Sequence, residues 1–144
     1  MTEADLVRFI DAQAEAHNQV VDELTDGRKR AHRMWFILPQ LTGLGHSVMA
    51  QRYAIRDLDQ ARRYLADPIL GSRLRQDVQI IMRHKNKSAI EILGSPDELK
   101  FRSCLTLFAQ AALDDADRLL FAEALNQFYN GKADSRTLEL LRSA

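Results

Sequence analysis

The sequence predicts an all-α protein, a compact irregular bundle of about eight short helices in one domain. Three observations predict it. Apolar residues recur at helical spacing through most of the 144 residues, while the strict alternation of a half-buried strand is nearly absent. Asp, Ser and Thr stand repeatedly just before such stretches, followed by proline or by an acidic residue or glutamine three positions on. That chemistry closes the free N–H groups of a helix start. Glycine stands where several of these stretches end, at Gly27, Gly94 and Gly131.

Taken in order, Thr2 with Asp5 opens a first helix whose stripe includes Leu6, Phe9, Ile10, Gln13 and Ala14. Gln19 to Asp26 reads as a second, carrying Val20, Val21 and Leu24 and ended by Gly27. Arg28 to Gly45 is the least regular stretch. Ser47 to Arg56 follows as a short helix with Met49, Ala50, Tyr53 and Ala54 on one side. Asp57 with Gln60 caps a helix carrying Leu58, Ala61 and Leu65, and Asp67-Pro68 caps another with the stripe Leu70, Leu74, Val78, Ile81 and Met82. Ser88 with Glu91 starts one helical turn. Ser95-Pro96-Asp97-Glu98 then opens a helix bearing Phe101, Cys104, Leu105, Phe108 and Ala112. With Leu107 and Ala111 also apolar, this helix is apolar nearly all round and is expected at the centre. Asp114 caps a helix with Phe121, Ala124, Leu125 and Phe128 inside, and Asp134 caps a terminal helix carrying Leu138, Leu140 and Leu141.

Composition agrees with one domain over residues 1–144. The chain is 46% hydrophobic and 28% charged, which excludes a disordered or low-complexity polymer. No linker rich in Gly, Ser or Pro divides it, and no repeat of fixed period runs through it. A chain of this size buries roughly 68–70% of its unfolded surface, so one core suffices without a disulfide or a structural metal. Met1-Thr2-Glu3-Ala4-Asp5 is acidic where a secretory leader is basic, and the longest strongly apolar run, Met34 to Leu38, stops at Pro39. A membrane helix needs about 20 such residues. The expectation is a cytoplasmic protein with no membrane partner, and the lone Cys104 fits a reducing compartment.

Familiar catalytic signatures are missing: there is no Walker loop, HExxH helix, paired CxxC or GxSxG elbow. His17, His32, His46 and His84 lack the spacing of a zinc site, so neither a metal nor a cofactor is expected. Cys104 lies on an apolar stripe, where a thiol acts as a small hydrophobe rather than a nucleophile.

The informative segment is Arg28 to Tyr53. Arg28, Lys29, Arg30 and Arg33 stand within six residues, beside His32 and Trp35. This puts an anion-attracting edge next to an aromatic face. Gly43-Leu44-Gly45 permits a tight turn whose N–H groups precede Ser47 and a helix start, a geometry that can hold phosphate or carboxylate. Singly, each residue has a plainer reading: a solvated basic face, a core tryptophan, a simple turn. Their adjacency, together with Gln40, favours a site.

The strings His32-Arg33-Met34-Trp35-Phe36-Ile37-Leu38-Pro39-Gln40, Gly43-Leu44-Gly45-His46-Ser47 and Tyr53-Ala54-Ile55 resemble the hallmark of the bacterial family known as domain of unknown function 1810. Phe9 to Gln13, Asp67 to Leu74 and Lys100 to Phe108 extend the resemblance in order along almost the whole chain. It implies a small, mostly helical, single-domain protein without an established activity. Arg33 stands where the family commonly has tryptophan and Leu38 where it commonly has phenylalanine. The family-like polar, aromatic and glycine positions are His32, Trp35, Gln40, Gly43, Gly45, Ser47, Tyr53, Gly71, Arg73, Lys100, Ser103 and Thr106.

Lys100, Ser103 and Thr106 fall on one strip of the otherwise apolar central helix. Either the hydroxyls bond back to carbonyls one turn earlier while Lys100 reaches solvent, or all three face the His32–Ser47 loop across a pocket. Two functions follow from these residues. The first is binding of a small anionic, phosphate-bearing ligand, nucleotide- or ADP-ribose-like, between the 28–53 segment and the 96–112 helix. Trp35 or Tyr53 would stack, Arg73, Lys100 and the Gly43–Ser47 turn would meet phosphate, and His32 would be the acid/base if there is turnover. The second is an interaction module that docks an acidic protein, or weakly a nucleic acid, on the basic 28–87 surface. A net charge of zero argues against a dedicated nucleic-acid binder. That zero is a sum over unequal segments: residues 1–27 carry one basic and seven acidic groups, 28–87 thirteen and four, and 88–144 six and nine.

Overall fold

The computed structural model describes residues 4–30 and 34–143 and places eight α-helices around one core. A 3-10 turn, Ala4–Leu6, leads into α1 (Val7–Thr25). There follow α2 (Val48–Arg52), α3 (Leu58–Ala66), α4 (Leu70–Met82), α5 (Ala89–Leu93), α6 (Asp97–Ala111), α7 (Asp115–Tyr129) and α8 (Ser135–Arg142). Among the described residues the one strand-like feature is an isolated parallel bridge between Leu41 and Ile55.

The caps explain most boundaries. Side chains of Ser47, Asp57, Ser88, Asp114 and Asp134 each accept a hydrogen bond from the backbone N–H three residues on. Ser88 and Glu91 form the full reciprocal box. Gln60 does something different from the expected box: its amide oxygen accepts from Arg56 N–H at 2.8 Å, one residue before the cap. Asp67 Oδ1 accepts from both Ile69 and Leu70 N–H, 2.9 Å each, so it serves the start of α4 from three residues before Leu70.

Several boundaries differ from the sequence reading. The helix expected from Ser47 to Arg56 stops at Arg52, because Ile55 N–H turns to Gln40 O at 2.8 Å instead of continuing the helix. The first two expected helices are one, the 19-residue α1, because nothing between Gln13 and Gln19 breaks a helix and Ala16, rather than Ala14, faces the core. Thr2, its expected cap, lies outside the described residues. The stop at Gly27 is observed, with φ +78. α7 ends on a left-handed Asn130, φ 55, one residue before Gly131.

Helix α6 is the axis of the bundle. Phe101, Cys104, Leu105, Leu107, Phe108 and Ala111 are all fully buried, and α3, α5, α7 and α8 pack around it. A chain of aromatic contacts crosses the core: Phe36 on Tyr53, Tyr53 on Phe9, Phe9 on Tyr64, Tyr64 on Phe108 and Phe108 on Phe121, with ring centroids 5.3 to 6.0 Å apart. These tilted and edge-on pairings add to area burial and fix the α1–α3–α6 layer against the irregular 34–56 stretch. No described helix is long and apolar enough to cross a membrane.

Candidate functional site

The start of α6 and the segment leading to Trp35 enclose a cleft of about 270 Å³. Its walls are Lys29, Arg30, Met34 and Trp35 on one side and Leu93 to Asp97 with Lys100 on the other. Backbone hydrogen bonds explain the positions. Gly27 turns the chain off α1, Arg28 N–H donates to Glu23 O at 3.1 Å and Arg30 N–H to the Glu23 carboxylate at 2.7 Å. Lys29 N–H donates to Ile92 O at 2.7 Å, tying this edge to α5. Met34 O then accepts from Ile37 and Leu38 N–H, a tight turn that buries Met34 and leaves the Trp35 ring half-buried at the mouth.

Electrostatics in the cleft are uneven. Lys29 Nζ lies 2.8 Å from Asp97 Oδ2, and their side chains are 6% and 13% exposed, so this pair is nearly dry and its charges are matched. Lys100 Nζ is 3.6 Å from the other Asp97 oxygen and 5.7 Å from the Trp35 ring centroid, where ammonium and ring face attract. Arg30 is exposed and in no ion pair among the described residues. Three cations against one carboxylate leave the cleft positive beside an aromatic surface.

Of the residues read from the sequence, the cleft gathers Lys29, Arg30, Trp35 and Lys100. The other described site residues lie elsewhere. Ser103 Oγ donates to Leu99 O at 3.2 Å and Thr106 Oγ1 to Arg102 O at 2.8 Å, the plainer of the two arrangements, and Thr106 also accepts from Asp134 N–H at 2.8 Å. Tyr53 is 7% exposed and packs between Phe9 and Phe36 as core. Ser47 Oγ caps the five-residue α2. Gly43, at φ +95, lies beside Leu140 of α8; a Cβ on Gly45 would come 2.4 Å from Ala50 Cβ, so this glycine serves close packing next to Gln40. Gln40 is half-buried, and its backbone O accepts from Ile55 N–H at 2.8 Å beside the isolated bridge. Arg73 points to the interior, with Nη1 3.3 Å from Gln13 Oε1. His32 and Arg33 lie outside the described residues.

Arg73 leads to a buried polar network that the sequence reading did not assemble. Gln13 Nε2 donates to Phe36 O at 2.6 Å and to Tyr64 Oη at 3.0 Å. One helical turn along α4 from Arg73, Asp77 Oδ1 is 3.2 Å from His17 Nε2. Burial pushes the Asp77 carboxyl up, opposed by His17 and Arg73, and burial likewise raises Tyr64. The network holds the Phe36 carbonyl, so it fixes the turn that presents Trp35. The signal was available: Gln13 and Asp77 are polar residues at core-facing positions of strongly periodic helices.

Cys104 is fully buried, and burial, with Asp77 adding to it, raises its thiol well above the ordinary value. A thiol reagent in excess is expected to leave the native protein unlabelled and to react promptly once urea unfolds it. Rapid native labelling would show an open path to α6. Among the described residues no three His, Cys, Asp or Glu side chains gather to hold a metal ion.

The family model described as "Protein of unknown function (DUF1810)" matches residues 3–141. The fold is similar to the crystal structure of the conserved hypothetical protein Rv1873 from Mycobacterium tuberculosis, with a TM-score of 0.92 and 46% identity over 96% of each chain. None of the curated proteins matches. A match across nearly every helix, from the start of α1 to the last turn of α8, means that the chain belongs to the DUF1810 family.

Proposed function

We propose that the chain binds a small anionic, phosphate-bearing ligand, nucleotide- or ADP-ribose-like, in the cleft between the Arg28–Trp35 segment and the start of α6. The observation that carries this reading is the Lys100 ammonium 5.7 Å from the centroid of a half-buried Trp35, with Arg30 on the same rim. An aromatic ring beside cations suits a ligand that offers a flat base to one and a phosphate to the other. The site is smaller than the sequence suggested: Arg73, Tyr53, Ser103 and Thr106 are held by interior partners, and the contacts fall to Trp35, Lys100 and Arg30. Binding rather than turnover is the reading, with the interior of a cell, where Cys104 stays reduced, as its setting.

The competing module that docks acidic partners on the basic middle has less to work with. Lys29 pairs with Asp97, Arg56 and Arg63 with Asp5, and Arg75 with Asp117, so three carboxylates from the acidic ends neutralise part of that middle.

Trp35 is the only tryptophan, so its fluorescence reports on this cleft alone. Titration with ADP, ADP-ribose and inorganic phosphate is expected to give saturable quenching for the nucleotides. Lys100→Ala or Arg30→Ala should weaken binding about tenfold, the value of one charged hydrogen bond. At 100 times its dissociation constant the ligand should add about 2.7 kcal/mol of stability. No quenching at millimolar nucleotide and no thermal shift would overturn the reading and favour the interaction module.

A further inference from the structure

On another face of the molecule the 41–42 and 56–59 segments meet α3 and α8 around a groove of about 500 Å³. Its floor is Leu41, Leu58, Leu140 and Leu141. The groove exists because α8 is only partly docked: Thr137 is its sole buried residue, while Leu138, Leu140 and Leu141 are half-buried. A second hollow of about 440 Å³, reaching Leu138 and Arg142, shares Leu58 and Leu141 with the first. Together they make an apolar trough within the size range of ligand sites.

Two arginines, Arg56 and Arg62, and two carboxylates, Asp57 and Asp59, line it, and all but Arg62 enter ion pairs. Of the two carboxylates, Asp57 accepts from Gln60 N–H at 2.8 Å and lies 3.3 Å from Arg56, and Asp59 lies 3.1 Å from Arg63. Arg56 is also shared with Asp5, 3.4 Å away. Arg62 donates its Nε to Ala111 O at 3.2 Å and enters no ion pair among the described residues. Arg142, at the far end, likewise bonds a carbonyl, Leu138 O at 3.3 Å, and no carboxylate among the described residues. An apolar trough whose wall holds one guanidinium outside any ion pair among the described residues suits a molecule with an apolar body and one anionic end.

We propose that this trough binds a medium-chain aliphatic carboxylate, with the chain along Leu58, Leu140 and Leu141 and the carboxylate on Arg62. A planar carboxylate takes two N–H bonds from a guanidinium fork, which favours it over a spherical halide or a neutral hydroxyl. This site is separate from the Trp35 cleft, and the two proposals stand or fall independently.

Methyl-labelled protein titrated with octanoate and decanoate tests it. Saturable shifts are expected at the Leu41, Leu58, Leu140 and Leu141 methyls, with Trp35 fluorescence unchanged. Each added methylene should tighten binding about fourfold. Decanol should bind about tenfold more weakly than decanoate, and decyltrimethylammonium more weakly still. Arg62→Gln should weaken decanoate about tenfold and Arg62→Lys less, with melting temperatures measured to confirm folding. Absence of shifts, equal binding of the ammonium, or an unchanged affinity in Arg62→Gln would overturn the proposal. So would decanoate-insensitive methyls together with a concentration-dependent dimer that Leu141→Asp abolishes, which would assign the trough to a second copy of the chain.

Discussion

Gln13→Leu is expected to destabilise the protein by about 3–5 kcal/mol, although the two side chains are close in size. The reason is the number of partners stranded. Gln13 donates to Phe36 O and Tyr64 Oη and accepts from Arg73 Nη1, and it is 1% exposed, so water cannot replace it. A buried polar group left without its partner costs about 1–3 kcal/mol. Phe36 O and Tyr64 Oη account for most of the loss, because Arg73 is half-exposed and can recruit water. Urea unfolding should show a lower midpoint with an unchanged slope, and thermal melting a fall of roughly 10 °C or more. Tyr64→Phe alone should cost only about 1 kcal/mol, since Gln13 keeps Phe36 O. In the double variant the losses should be less than additive, the signature of a shared network. A loss below about 1 kcal/mol for Gln13→Leu would mean that the network does not hold the 34–38 turn. Its consequence for function is specific: with Phe36 O released, the Trp35 turn loses its anchor, and any ligand quenching of Trp35 should weaken without a change in Lys100 or Arg30.

The same residue shows what could and could not be read from sequence. Gln13 was visible as a member of the α1 stripe, beside Phe9, Ile10 and Ala14, but a stripe says only that a residue is expected to face inward. It does not say that Phe36 O, Tyr64 and Arg73, 23 to 60 residues away, converge on it. Caps are local, and so Ser47, Asp57, Ser88, Asp114 and Asp134 were legible from a few neighbouring residues. Lys100 and Trp35 could be paired because each had a recognisable chemistry, one on the expected central helix and the other in the irregular Arg28 to Gly45 stretch. Arg73 could not be oriented. Its i,i+4 relation to Asp77 and its place on α4 were readable, yet the choice between an outward phosphate contact and an inward amide contact depends on how α4 packs on α1. The segment charges of −6, +9 and −3 were likewise countable, but only packing shows that Asp5, Asp97 and Asp117 from the acidic ends meet Arg56 and Arg63, Lys29 and Arg75 from the basic middle.

Gly71→Ala should destabilise by about 2–4 kcal/mol, and its sign separates two physical effects. Gly71 is the second residue of α4, where helix propensity alone predicts that alanine stabilises by about 1 kcal/mol. Packing predicts the reverse. A Cβ at Gly71 would stand 2.1 Å from Leu65 O and 2.8 Å from Arg75 Nη1. Arg75 can swing away at modest cost, but Leu65 O is backbone at the end of α3, so α3 and α4 must separate by more than 1 Å to restore ordinary contact at roughly 3.4 Å or more. Overpacking of this kind costs about 1–3 kcal/mol and occasionally more. Separation also stretches the bond from Arg75 Nη2 to Leu65 O, now 3.0 Å, while the same guanidinium holds Asp117 of α7 at 2.7 and 2.8 Å. The loss therefore reaches α7, and urea unfolding of Gly71→Ala in the Arg75→Ala background should show a smaller penalty than in the parent, because one of the two clashing groups is gone. An alanine variant as stable as the parent would show that propensity wins and that the α3–α4 contact is looser than 2.1 Å implies. Gly71 thus falls within a family-like motif for a reason of packing: it lets α4 begin against the last turn of α3, and that approach sets the direction from which Arg73 and Asp77 enter the core.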